Sequence, residues 1–424
     1  MTLPFCVWQE RADGVSCYVF RQGSKSGKRV GATVRLKVVP GDFCVEEQAD
    51  LALVARGPWA VYRVRKVGLT TLEVQARLAS RLNLPARQVV FPALKDKEAI
   101  AVQFAALPAE CPAVIEEERF RAERVGFRQE PLRPADLRGN AFALLVRDLA
   151  REEADQMARR LEELGRHGQP NYFDEQRFGS FAADGSHVGK AIIRRDAQGA
   201  LRAYLPQPFV GDPRPTVAFR RMAAALWPDW PAMFQAAPRP SNYRSVLTYL
   251  IGHPEDYRKA LNLIPQRLLS LCLAAYQSYL RNRIVAVFLT QVYREGGVAV
   301  VQVCIAGEDL PIHACLDERT LAELTALRVA MPYHRASFRP AAVADIAQRV
   351  LADEGLVLDD LKARILSKAY LSRGSRAVLV VPQEMEVGVP GEDERFPGRM
   401  QLSVRFVLPP GSYASLVPKA ACAG

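Results

Sequence analysis

The sequence predicts an α+β protein: a sheet with helices laid on it, interrupted by a largely helical insertion. Three observations carry this. Short runs between residues 33 and 105 alternate apolar and polar side chains at strand spacing. Helical spacing dominates beyond about residue 180, and eight of the 29 prolines, Pro206 to Pro240, mark the change of texture. Strand-like segments return near the C-terminal end. The sheet domain is therefore expected over residues 1–180 and 371–424, with the insertion over 181–370.

Thr33 to Val39 alternates, with Lys37 on the outward polar face beside Thr33 and Arg35. Pro40-Gly41-Asp42 breaks this strand and Phe43-Cys44-Val45 resumes extended structure. Trp59 to Lys66 alternates again. Thr70 and Glu73 form a capping box ahead of Leu72, Ala76, Ala79 and Leu82 at helical spacing. Leu84-Pro85 closes that helix, because a residue before proline disfavours the α region. Gln88 to Phe91 and Ala99 to Ala105 read as strands. Glu152 to Arg166 reads as a helix ended by Gly165 and Gly168. Helical patterns follow at Arg267 to Phe288, Leu316 to Leu327 and Ala341 to Asp353, then strands at Arg376 to Val381 and Gln401 to Leu408.

The chain has 424 residues, 49% apolar and 24% charged, which excludes collagen, a long coiled coil and wholesale disorder. No apolar run approaches the ~18 residues of a membrane span. Glu10, Arg11 and Asp13 stand where a signal peptide would be apolar, so the cytoplasm is the expected location. The eight cysteines are scattered without a C-x-x-C pair, and His313 with Cys315 is no zinc site. No metal is expected. The net charge of +11 favours an anionic partner, nucleic acid before a membrane surface. Residues 51–100 concentrate the surplus, with nine basic and three acidic side chains.

Three constellations could carry chemistry. Lys95-Asp96-Lys97 follows a short apolar strand inside the basic window. A carboxylate between two ammonium groups stays ionised and suits a nucleophile or weak base, although a solvated charged turn has the same composition. Asn171 to Gly179 (NYFDEQRFG) offers rings for stacking and amides for a base edge; it also suits a turn packing a helix onto a sheet. Arg405 to Ser415 ends a strand in Pro409-Pro410-Gly411 and presents Tyr413, as an ordinary loop would. Other templates fail. Gly23 to Arg29 is one residue short of a P-loop, and Glu46 and Glu47 alternate onto opposite faces, against a Mg²⁺ site with Asp42.

Taken in order, these segments resemble the TruD family of tRNA pseudouridine synthases, in its archaeal and eukaryotic branch. Leu36-Lys37 and Pro40 to Glu47 look like the family's opening Lys and P-x-D-F-x-V-x-E stretch. Arg63 to Lys66 with Thr70-Thr71 match the next segment. Leu94 to Ile100 through Gln103 is similar to the signature G-x-K-D-K-x-A-x-T-x-Q. Gly139 to Phe142, Asn171 to Gly179, Ser180, His187 to Lys190, Tyr276 to Leu280 with Asn282, and Arg405 to Ser415 continue the series.

The resemblance implies the pseudouridine synthase fold, an α+β domain with a mixed sheet flanked by helices and a TruD-type insertion, and isomerisation of uridine to pseudouridine without cofactor or metal. The implied substrate is tRNA, or another structured RNA, with uridine 13 of tRNA the usual target; the protein is expected to act as a monomer. Asp96 would be the catalytic carboxylate and Lys37 its partner. Phe173 would stack on the flipped base and Asn171 would bond near it. Phe43, Lys95, Lys97, Gln103, Arg177 and Tyr413 complete the implied substrate site. The sequence departs from the family at three points. Ala93 or Leu94 replaces a glycine, Ala101 a threonine, and Asp174 a glycine, which places a negative charge beside the implied pocket. A non-catalytic tRNA-binding or folding protein and a metal-dependent nuclease are the competing readings.

Overall fold

The sheet is organised around its longest strand, Leu137–Leu149. The computed structural model describes residues 7–10, 16–21, 33–181, 185–209 and 212–423; Gly23 to Arg29 lie outside them. Among the described residues nine strands come first: β1 (Val7–Glu10), β2 (Ser16–Arg21), β3 (Thr33–Leu36), β4 (Phe43–Ala49), β5 (Trp59–Val67), β6 (Ile100–Pro108), β7 (Val114–Glu117), β8 (Phe120–Arg128) and β9 (Leu137–Leu149). Gln383–Val387, Gly391–Glu392 and Met400–Leu408 join them in a 12-stranded sheet. The central order is β7-β8-β5-β6-β4-β9, with Met400–Leu408 on the other side of β9. β4 and β6 are parallel, whereas β5 with β6 and β4 with β9 are antiparallel, so the sheet is mixed.

A parallel pair requires a crossover. The connection from β4 to β6 contains β5 and helix α1 (Thr71–Arg81). Its capping box forms as expected. Glu73 N donates to Thr70 Oγ1 at 3.1 Å, and Thr70 N donates to Glu73 Oε2 at 2.6 Å. Val74 and Leu78 of α1 then pack on Ala60, Tyr62, Val64, Ala105 and Leu107 of the sheet. Helix α2 (Arg151–His167) ends at Gly168, whose φ of +67° lies in the left-handed region open to glycine.

The registers place one row of side chains on a single sheet face. Lys66 lies opposite Ala101, Ala101 opposite Val45, Val45 opposite Phe142 and Phe142 opposite Phe406. Strand alternation adds Phe43, Glu47 and Gln103 to this face. The other face carries Glu46, exposed and paired with Arg63 at 2.8 Å.

The chain divides into two compact units, residues 2–169 with 380–424 and residues 170–379. The divisions fall near 170 and 380, against 181 and 371 expected from the sequence. The segment after Gly168 explains the first difference, since Asn171 to Phe178 is bonded to the helix Gln266–Glu295. The second unit is mainly helical. Its 30-residue helix Gln266–Glu295 is buried along most of its length, and Ala341–Asp353 packs against it. A hairpin, Val300–Ile305 with Glu308–His313, accompanies them.

Two strand expectations are corrected. Thr33 to Val39 stops at Leu36, because Lys37 turns the chain with a φ of +59° into the 3₁₀ turn Pro40–Asp42. Lys37 is consequently buried, not on a solvent-facing strand. Gln88 to Phe91 forms only one bridge, Val90 with Ala106, since Pro85 starts a 3₁₀ turn over Ala86–Gln88. Among the described residues no helix is long and apolar enough to cross a membrane.

Candidate active site

Asp96 sits in the irregular segment that leads into β6, and three neighbours, Thr71, Lys66 and Lys37, fix it. Thr71 Oγ1, in the first turn of α1, accepts from Lys95 N at 2.8 Å and donates to Gln103 Oε1 at 3.1 Å. Lys66, from β5, donates through Nζ to the Asp96 carbonyl at 2.6 Å and to the Leu69 carbonyl at 2.7 Å. Lys37 Nζ donates to Asp96 Oδ2 at 2.5 Å. The Lys37 side chain is 2% exposed and that of Asp96 42%, so the pair presents its carboxylate outward from a buried cation. The same ammonium lies 4.1 Å from the centre of the Phe43 ring. Phe43 in turn meets Phe142 edge to face, with centroids 6.0 Å apart.

Lys95 reaches the other way. Its Nζ bonds Asn140 Oδ1 at 2.6 Å and pairs with Glu47 Oε1 at 2.8 Å, where Glu47 is fully buried. Gln103 is fully buried, one hydroxyl removed from the Lys95 amide. Lys97 is exposed. Tyr413 is half-buried after the Pro409–Ser412 turn, in which Ser412 N donates to Pro409 O at 3.2 Å and Gly411 takes a φ of +82°. Thus Lys37, Phe43 and Asp96 come together, with Lys95 and Gln103 behind them.

Beneath the Lys37–Phe43 turn lies an ionic anchor. Arg147 of β9 donates to Asp42 Oδ1 from Nε at 3.0 Å and from Nη2 at 2.9 Å. Its Nη1 reaches Asp393 at 3.0 Å and Gln401 at 2.9 Å. Asp42 also accepts from Val39 N at 3.0 Å, which closes the turn. Asp42, Glu46 and Glu47 therefore each engage a separate cation. Among the described residues no cluster of three or more metal-ligating side chains is present.

Burial pushes the Lys66 ammonium down to about 8, opposed by the Asp96 and Glu98 charges. Neither Lys66 nor Arg147 stood out in the sequence as a site residue. Lys66 closes the alternating run Trp59 to Lys66, Arg147 lies in β9 where the pattern is not clean, and the partners Asp96, Asp42 and Asp393 lie far along the chain. The basic window is likewise divided. Lys66 and Lys95 are engaged internally and Arg63 in a surface pair with Glu46, while Arg56, Arg65, Arg87 and Lys97 are exposed.

Asn171, Phe173 and Arg177 belong to the second unit. Asn282 clasps the Phe173 main chain, accepting from its N–H at 2.9 Å and donating to its carbonyl at 2.8 Å. Arg281 Nη1 donates to Asn171 O at 2.6 Å, and Arg376 bonds both the carbonyl and the side chain of Asn171. Arg177 Nε donates to Ser278 Oγ at 3.0 Å. The guanidinium carbons of Arg376, Arg177 and Arg281 lie 4.5, 5.4 and 5.9 Å from the Phe173 ring centre. Asp174 is 2% exposed, so it does not offer its charge to solvent beside Phe173. Arg281, Asn282 and Arg376 thus seat the Asn171–Phe173 loop, and Ser278 of the Tyr276–Leu280 motif holds Arg177 just beyond it.

Comparison with known proteins agrees with this architecture. The family profile described as tRNA pseudouridine synthase D (TruD) matches residues 26–420. A Methanocaldococcus jannaschii protein named "Probable tRNA pseudouridine synthase D 2" is 27% identical over 416 residues, covering 96% of each chain. The Aquifex aeolicus protein named "tRNA pseudouridine synthase D" is 26% identical over 392 residues, covering 91% of this chain and 97% of that one. A solved structure from Methanosarcina mazei bearing the TruD name shares the fold, with a TM-score of 0.67, 24% identity, and coverage of 94% and 96%.

Proposed function

The chain belongs to the TruD family of tRNA pseudouridine synthases, and from that premise we propose that it converts uridine 13 of tRNA to pseudouridine with Asp96 as the reacting carboxylate. The observation that carries the reading is the Lys37–Asp96 pair, a half-exposed carboxylate held at 2.5 Å by a buried ammonium. A merely structural ion pair has no need to face solvent with its acid while burying its base. In the isomerisation the N1–C1′ bond breaks, the base turns, and a C5–C1′ bond forms. The proton on C5 is lost and N1 gains one, so the reaction is balanced without a co-reactant. An ionised carboxylate beside the sugar supplies the negative group that this rearrangement needs.

Supporting roles follow from chemistry. Phe43 gives the Asp96 site an apolar wall; within the helical unit, Phe173 offers a ring on which a flipped base can stack. Asn171 and Arg177 offer hydrogen bonds beside that ring. Tyr413 is a further pocket residue. Lys97 and the exposed arginines of the basic window grip phosphate, which makes binding weaken with salt.

The test is pseudouridine mapping by carbodiimide modification and reverse transcription on unmodified tRNA. One new stop, at position 13, is expected with the wild type and none with Asp96→Ala. A stop that persists with Asp96→Ala removes the role given to Asp96. A stop elsewhere changes the target nucleotide, and tRNA binding without any stop returns the protein to the class of RNA-binding chaperones.

A further inference from the structure

We propose that Lys66 is a positioning residue for Asp96, fixing its main chain while Lys37 fixes its carboxylate. The proposal rests on Asp96 being the reacting group. Lys66 is fully buried, and its ammonium is spent on two main-chain carbonyls, those of Asp96 at 2.6 Å and Leu69 at 2.7 Å. Burying an ammonium is unfavourable, and an apolar residue of similar size would pack in a strand without that cost. What the ammonium accomplishes here is specific. It ties the loop leaving β5 to the loop entering β6 at the residue whose side chain Lys37 holds.

Asp96 lies in irregular structure, so no ladder or helix sets its main chain. Thr71 Oγ1 fixes the amide of Lys95 immediately before it. Lys66 fixes the carbonyl of Asp96 itself. With both sides held, the carboxylate can move only by its own side-chain rotations, and Lys37 selects among them. Near-attack placement is sensitive to shifts of about 1 Å, which can cost on the order of 100-fold in rate.

The charged groups around Lys66 are Asp96, Glu98 and Lys95 from the loop and Glu73 from α1. Burial is the largest influence and lowers the ammonium to about 8. A neutral amine still has two N–H groups, but each bonds a carbonyl more weakly than a charged donor does.

The experiment measures single-turnover pseudouridine formation on unmodified tRNA transcript, with tRNA affinity and circular dichroism recorded in parallel. Lys66→Met is expected to slow the reaction about 10- to 100-fold while remaining folded, with tRNA affinity within about twofold of wild type. Lys66→Arg, which keeps a charged donor, recovers most of that loss. A Lys66→Met rate within about threefold of wild type overturns the proposal, as does an affinity loss equal to the rate loss. If Lys66→Met does not fold, the wild-type pH–rate profile decides. A rate that declines as pH rises through about 8 supports it, and a flat profile overturns it. Asp96→Ala separates the two ideas: activity in that variant removes the premise, whereas its inactivity beside a fully active Lys66→Met removes only the present proposal.

Discussion

Replacing Arg147 with methionine isolates the ionic anchor beneath the Lys37–Phe43 turn. The Asp42 and Asp393 side chains are 2% and 0% exposed, and the guanidinium bonds both at 2.9–3.0 Å. Methionine approximates the stem but donates nothing, so two buried carboxylates lose their cation. Truncating one member of a buried pair costs about 3–5 kcal/mol. The carboxylates keep main-chain donors, Val39 N on Asp42 at 3.0 Å and Asp148 N and Arg395 N on Asp393 at 3.0 and 2.9 Å. For that reason the loss is placed at one such value and not doubled. In a unit of roughly 200 residues each kcal/mol moves the melting temperature by about 2–4 °C, so a fall of about 6–20 °C is expected. Thermal melts followed by circular dichroism measure it. Arg147→Lys should fall between, because an ammonium lacks the planar fork that serves both acids. A melting temperature within about 2 °C of wild type for Arg147→Met would falsify the account of this network.

Three further outcomes are expected. Asn282→Leu removes both side-chain bonds to the buried main chain of Phe173, at about 1–3 kcal/mol each, and should open the 171–179 segment to limited proteolysis. Gly189→Ala sets a Cβ 2.5 Å from Cys272 O and 2.8 Å from Tyr276 Cβ, so the helix pair must shift, lowering stability by about 1–3 kcal/mol in melts. Lys66 also predicts a pH dependence. Its folded value of about 8 lies below the ordinary 10.5, so the unfolded chain binds more protons between those limits. The penalty is fully present below about 8 and relieved as pH rises, so the stability of wild type relative to Lys66→Met should increase from about 8 to 10.5; a constant difference in melts across that range would count against the burial of the charge.

Elements with local causes were legible in the sequence. The Thr70–Glu73 box, the Gly168 terminus and the Ala341–Asp353 helix are set by neighbours a few residues apart. The Lys37–Asp96 pairing was reached through family resemblance, not from spacing; the two residues lie 59 positions apart. Alternation gave Lys37 the wrong environment, because the pattern assumes a strand continues and cannot register a residue turning into the left-handed region. It also gives no way to separate a buried cation from a solvated one. Lys66 and Arg147 occupy polar positions in strands, yet their partners are a loop carbonyl 30 residues on and a carboxylate 246 residues on. β9 itself escaped because its long run of small and apolar residues lacks clean alternation.

The pairing of β9 with Met400–Leu408 bears on how the nascent chain leaves the ribosome. Asn140 to Leu149 must wait for a partner strand that is translated only after the whole helical unit. At bacterial-type elongation rates that interval is on the order of tens of seconds. Throughout it, one edge of the sheet's longest strand has unpaired amides and carbonyls, flanked by Leu144, Val146 and Leu149. Such an edge is a template for intermolecular pairing. The helical unit, by contrast, is complete before that strand emerges. Nonsense mutations or ribosome stalling between residues 380 and 400 should therefore yield a chain with one finished half and one sticky half, a ready client for holdase chaperones and proteases.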